Sequence, residues 1–142
     1  MSDSPAFHTA SLTSNTLSYI DSFSTLPTPP TSYTTVIGLH GIGFNSAAWT
    51  PIVDELALDP TTPIRFIAYN QRDYRGSSPK VAAELPGAVD VTEVYLNDLL
   101  EFIEFVVKEL KVPGVPSSGS SAAGGITLLV SAFFFNFSPT RR

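Results

Sequence analysis

Residues 36–49 read VIGLHGIGFNSAAW. An apolar run ends in His40-Gly41, glycine and asparagine break the chain at Gly43 and Asn45, and helical patterning follows. The β-branched run 34–40 (TTVIGLH) predicts a buried strand. The stretch 46–58 (SAAWTPIVDELAL) predicts a helix, with Pro51 near its start, where a missing N–H is tolerated. Asp59-Pro60 and Pro63 end it.

The same alternation continues on both sides. Residues 64–70 (IRFIAYN) predict a second buried strand, and 71–90 a polar loop. Asp90, with Glu93 three positions on, reads as a capping box opening a helix over 91–110. Leu96, Leu99, Leu100, Ile103, Val106, Val107 and Leu110 fall at helical spacing on one face. Asn97, Asp98, Glu101, Glu104 and Lys108 fall largely on the other. After a Gly/Ser/Pro loop over 111–125, another strand begins at Ile126. Upstream, 16–20 (TLSYI) alternates as a strand, with 7–13 as its hairpin partner. The prolines of 24–33 (STLPTPPTSY) forbid a helix or central strand there. The predicted class is α/β: a mostly parallel sheet, two main helices and an antiparallel N-terminal hairpin at one edge.

Composition excludes several chemistries. The chain has 142 residues, with 13 acidic against 8 basic, giving a formal charge of −5. It lacks the basic footprint of a nucleic-acid binder. With no Cys and only His8 and His40, it offers no disulfide framework, thiolate metal site or histidine-rich metal site. No metal or cofactor is expected. The sequence Gly38-x-x-Gly41-x-Gly43 is not in dinucleotide order, and no Walker-type G-K-[ST] occurs. Residues 1–10 (MSDSPAFHTA) do not read as a secretory signal, which points to the cytoplasm. The apolar run 122–137 (AAGGITLLVSAFFFNF) is shorter than the roughly 20 residues of a spanning helix, which argues against a membrane anchor.

Two segments carry a resemblance. In 36–49 a strand ends in His-Gly before a glycine loop and a helix. In 64–79 (IRFIAYNQRDYRGSSP) a strand ends in Asn-Gln-Arg-Asp, with Gly76-Ser77-Ser78 just beyond. Together they resemble the α/β-hydrolase superfamily (the AB hydrolase-1 type) over about residues 16–129, its N-terminal half. The resemblance implies that the loop after His40-Gly41 builds an oxyanion hole. Backbone N–H groups there stabilise charge developing on a carbonyl oxygen. It assigns that role to Ile42 first and Gly43 second. His40, Gly41, Asp73 and Gly76 become structural loop residues. The other reading of 36–49 is a tight strand-to-helix turn with a hydrogen-bonded histidine. Arg72–Asp73 reads as a stitch between loops, with Arg65 and Arg75 nearby.

The resemblance stops at the nucleophile. The superfamily's G-x-S-x-G elbow belongs directly after the strand at 126, yet Val130-Ser131-Ala132 is followed by three Phe. The superfamily's base is a His downstream of the nucleophile, and no His follows His40. A Ser hydroxyl without a base is a weak nucleophile. The organisation expected is therefore a loose segment over 1–15, a partial hydrolase domain over 16–129 and a tail of other origin over 130–142. Val-Ser is what an in-frame splice donor, GTRAGT, encodes, and the Phe-rich tail suits translated intron. Such a chain has no catalytic residue of its own, although its parent would cleave ester- or epoxide-type bonds. The strand at 126 would lie at a bare sheet edge, an aggregation template. The alternatives are a non-enzymatic protein holding a small apolar ligand between loops 41–46 and 71–79, and a membrane-associated protein using 122–137.

Overall fold

The computed structural model describes residues 6–24, 26–41, 44–59, 61–79, 91–112 and 126–130. Five strands, β1 (His8–Ser11), β2 (Thr16–Asp21), β3 (Thr34–Leu39), β4 (Ile64–Tyr69) and β5 (Ile126–Val130), form one sheet in the order β1-β2-β4-β3-β5. Strands β3, β4 and β5 are mutually parallel, while β2 runs antiparallel to both β1 and β4. The hairpin over β1 and β2 forms as its alternation indicates. Residues 8–11 of the segment read as loose are its first strand.

Helices cover both faces. A 3-10 turn over Ser46–Trp49 leads into α1 (Thr50–Leu58), and α2 spans Val91–Lys108. The sequence predicts one helix over 46–58, and the structure tightens its first turn. Asn45 caps that turn by accepting the Ala47 N–H at 2.9 Å. The predicted cap Asp90 lies outside the described residues.

Strand alternation sorts the core into two layers. Leu17, Tyr19, Ile37, Ile67 and Tyr69 face Phe102 and Val106 of α2. Ile20, Phe66 and Ala68 face Val53 of α1, with Trp49 packed against them. Phe102 is fully buried and meets Tyr19, Tyr69 and Phe105 at centroid distances of 5.8, 4.6 and 6.0 Å. Burying such a ring stabilises by about 1.5–3 kcal/mol. Gly38 allows the other layer to close. A Cβ there would stand 2.6 Å from Phe66 Cζ and 3.3 Å from Trp49 Cε2.

Two buried ion pairs flank β4: Arg65–Asp21 joins it to β2, and Arg72–Asp98 joins the loop after it to α2. Arg65 Nε donates to Asp21 Oδ1 at 3.1 Å, and its Nη1 donates to the Leu110 carbonyl, just beyond α2, at 3.1 Å. Arg72, beyond the other end of β4, forms a fork with Asp98: Nε–Oδ2 and Nη2–Oδ1 are each 2.8 Å. Arg72 stitches its loop to α2 through Asp98, in line with the loop-stitching role read from the sequence. One sequence expectation is corrected: Asp98, placed with the polar face of the helix, is buried against the sheet.

The rotation of α2 follows from that pair. Asp98, Phe102 and Val106 face the sheet, and Leu99 and Ile103 are partly buried beside them. Leu96 and Leu100, expected on the buried face, are 52% and 53% exposed. Periodicity alone could not fix this. The apolar arc of the helix is wider than the face the sheet covers, and Phe102 with the Arg72 fork decides which part is buried.

Two expectations follow. Gly38→Ala should lower the unfolding free energy by about 1–3 kcal/mol, read from urea titration, because the added methyl overpacks Phe66. Leu96→Gln combined with Leu100→Gln should change stability by no more than about 0.5 kcal/mol, while reducing binding of a hydrophobic dye.

Candidate functional site

The site to which the sequence points lies where the chain leaves β3 and β4 at the same end of the parallel strands. His40 follows β3, and Asn70 follows β4. Both are buried, and each joins its own loop to the other.

His40 is held at both ring nitrogens. Gln71 N–H donates to Nε2 at 3.0 Å, and Nδ1 lies 3.1 Å from the Gly41 carbonyl. A backbone N–H can only donate, so Nε2 is the acceptor and the proton sits on Nδ1. The ring is a neutral bridge, packed edge-on to Tyr74 at 4.9 Å. Burial holds its pKa below the ordinary histidine value, partly offset by the Gly41 hydrogen bond. Neither nitrogen is free to take a proton from a nucleophile.

Asn70 does comparable work from the other side. Its Oδ1 accepts the Ser46 N–H at 2.6 Å, at the start of the 3-10 turn. Its Nδ2 donates to Ser18 Oγ at 2.7 Å and to the Arg75 carbonyl at 3.1 Å. Ser77 Oγ donates to the Asn70 carbonyl at 2.7 Å. One buried amide thus joins β2, the post-β3 turn and the loop over 71–78. Amide oxygens and hydrogens must all find partners in such a place, which makes the arrangement specific.

Asp73 and Gly76 shape that second loop. Asp73 has φ +70° and Gly76 φ +82°, the left-handed region that suits Gly and, among other residues, Asp and Asn. Asp73 N–H donates to the Ser78 carbonyl at 3.1 Å, closing the turn. Ser78 N–H donates to the Thr16 carbonyl at 2.8 Å, and Ser77 Oγ accepts the Ser18 N–H at 3.0 Å. A Cβ on Gly76 would lie 3.3 Å from Ser18 Cβ.

Ile42 and Gly43, the two oxyanion-hole candidates, lie outside the described residues. Gly41 and Phe44 bracket them, and the Phe44 N–H donates to the Gly41 carbonyl at 3.1 Å. Of the remaining candidates, His40 meets the second loop through Gln71 and Tyr74, while the Gly41 carbonyl bonds within its own loop, to the Phe44 N–H and the His40 ring. Asp73 and Gly76 serve that loop's own geometry. Sequence reading missed Asn70, Ser18 and Asp98. Asn70 stands at the end of a buried apolar run (IRFIAYN), and a polar residue there was a readable signal. Ser18 and Asp98 carried none, because their partners are remote in sequence. Among the described residues, no group of three His, Asp or Glu could hold a metal ion.

The depressed His40 pKa sets a pH dependence. The unfolded chain binds the His40 proton more readily than the folded one. This contribution to stability is complete above the unfolded value of about 6.5 and is lost as pH falls through the folded value. Urea titrations from pH 7.5 down to 5 should show wild-type stability falling faster than that of His40→Gln, which keeps an acceptor but cannot titrate.

No protein-family model and no curated protein matches this sequence. Solved structures do match in fold. The thioesterase domain of the curacin biosynthetic pathway aligns with TM-score 0.57 and 14% identity, over 90% of this chain and 37% of that one. An epoxide hydrolase from Vigna radiata aligns with TM-score 0.54 and 15% identity, over 79% of this chain and 30% of that one. A haloalkane dehalogenase from Bradyrhizobium elkani aligns with TM-score 0.50 and 17% identity, over 88% of this chain and 32% of that one. The chain thus spans about a third of the length of these structures. All of them are α/β-hydrolase fold members, and this chain carries part of that fold.

Proposed function

We propose that this chain is the oxyanion-loop portion of an α/β-hydrolase and is catalytically silent by itself. Residues 16–129 are the hydrolase-derived part, and the loop N–H groups of Ile42 and Gly43 would face the substrate oxygen. Val130 onward is a tail of other origin, with translated intron as its source. The parent enzyme acts on an ester-, thioester- or epoxide-type bond, in keeping with the thioesterase domain and epoxide hydrolase that share the fold.

One observation carries the silent reading: His40 is already spent. Acyl transfer needs a base within hydrogen-bond reach of its nucleophile. Of the two histidines in the sequence, His40 accepts from Gln71 and donates to Gly41. The other, His8, sits on β1 against Tyr19, with β2 between it and β4. Backbone donors for an oxyanion are useful only when an attacking group shares the site. Residues 126–130, inside the run considered as a membrane anchor, instead pair with β3 as a sheet strand. No helix among the described residues is long and apolar enough to cross a membrane.

A serine-directed fluorophosphonate probe, together with a p-nitrophenyl ester assay on the purified chain, tests this reading. No heat-sensitive labelling and no saturable turnover are expected. Labelling of Ser131, or turnover abolished by a single side-chain replacement, would overturn it. Sequencing the transcript across codons 125–135 checks the tail separately. An uninterrupted coding exon there, with no donor site, removes the intron origin.

A further inference from the structure

We infer that Thr28 is a phosphoacceptor for an ATP-dependent, proline-directed Ser/Thr kinase. This does not depend on the hydrolase reading. The sequence contains six Ser/Thr-Pro dipeptides, at Ser4, Thr28, Thr50, Thr62, Ser78 and Ser138. Four lie among the described residues, and the fold treats them differently.

Three are closed to a kinase. Thr50 opens α1 with helical backbone angles, φ −49° and ψ −45°, whereas a kinase cleft takes its acceptor in extended chain. Thr62 is held in a tight turn: its hydroxyl donates to Asp59 Oδ2, its N–H to the Asp59 carbonyl, and its carbonyl accepts from Ile64. Ser78 Oγ accepts the Thr16 N–H at 3.0 Å and shares a second hydrogen bond with Thr16 Oγ1. Extracting any of these would cost secondary structure.

Thr28 is different. Pro27, Thr28, Pro29, Thr31 and Ser32 are all exposed. Pro27, Pro29 and Pro30 lack N–H groups, which keeps the segment out of helix and sheet ladders, and the chain runs through open bends at Pro27–Thr28 and Thr31–Ser32. Among the described residues, the backbone hydrogen bonds of the segment lie at its two ends. Leu26 N–H donates to the Phe23 carbonyl at 3.2 Å, and Thr34 N–H to the Pro63 carbonyl at 2.8 Å. Below it, the Phe23 and Tyr33 rings meet edge-on at 4.8 Å, with the Arg65 guanidinium against them. The acceptor is thus displayed on a rigid base, at the end of the sheet remote from His40.

In the transfer, Thr28 Oγ1 forms a bond to the γ-phosphorus of Mg·ATP. The bond from that phosphorus to the β-bridging oxygen breaks, ADP leaves, and the hydroxyl proton passes to the kinase base. The product adds about two negative charges to a loop that already lies in a net acidic chain.

The test is incubation of the folded chain with a purified proline-directed Ser/Thr kinase and Mg·ATP, followed by fragment mass spectrometry over time. Of Thr28, Thr50, Thr62 and Ser78, Thr28 should take phosphate first, and Thr28→Ala or Pro29→Ala should abolish incorporation there. The urea-denatured and diluted chain should in addition accept at Thr50, Thr62 and Ser78. The melting temperature of the phosphorylated protein should match that of the unmodified one. Incorporation at Thr50, Thr62 or Ser78 before Thr28, none at Thr28, or survival of the Thr28 product in Pro29→Ala would overturn the assignment.

Discussion

The guanidinium–carboxylate fork between Arg72 and Asp98 is the contact on which most of the remaining arrangement rests. Both groups are nearly fully buried, and both are bonded at more than one atom. Asn15 Nδ2 adds a further hydrogen bond to Asp98 Oδ1 at 2.8 Å. Desolvating two such charges cancels much of their attraction, so the pair contributes little net stability over a well-packed apolar alternative. Its effect is on choice. It fixes the rotation of α2, the position of the loop after β4, and the docking of the turn between β1 and β2. At the opposite end of β4, Arg65 pairs with Asp21 of β2 and donates to the Leu110 carbonyl just beyond α2. The segment over α2 is thereby tied near both ends of β4.

The loop held by Arg72 is also the loop that anchors His40. Gln71, the residue before the ion pair, presents its N–H to the imidazole, while Asn70 presents its amide oxygen to Ser46. Polar groups that would be reactive in an open cleft are here consumed in joining two loops. Among the described residues, the side chains at the ends of β3 and β4 are thus hydrogen-bonded to one another's loops.

Much of the architecture was legible because it is local. The runs TTVIGLH and IRFIAYN are continuous, β-branched and bounded by breakers, and both became buried parallel strands. The hairpin and both helices were legible for similar reasons, through alternation and helical spacing. What stayed hidden was relational. The fork joins Arg72 to a residue 26 positions on, and no pattern within α2 marks Asp98 as different from Glu101. The wide apolar arc of α2 offered several rotations, and only a tertiary partner selected one. In the candidate site, the His40-Gly41 signal was visible in the sequence. The role of Asn70 could be seen only once β2, β3 and β4 were side by side.

The position of β5 has a kinetic meaning. Its pairing with β3 joins Thr35 to Ile126 and Leu39 to Val130, residues about ninety positions apart. Every other pairing in the sheet closes a shorter loop. Bringing such distant segments together costs chain entropy before any ladder hydrogen bond forms. On the ribosome, β1 to β4 emerge first and can assemble while β5 is still unsynthesised. Of the three strands that end up paired on both sides, β3 therefore waits longest for its second neighbour, because that partner is the most distant piece of chain.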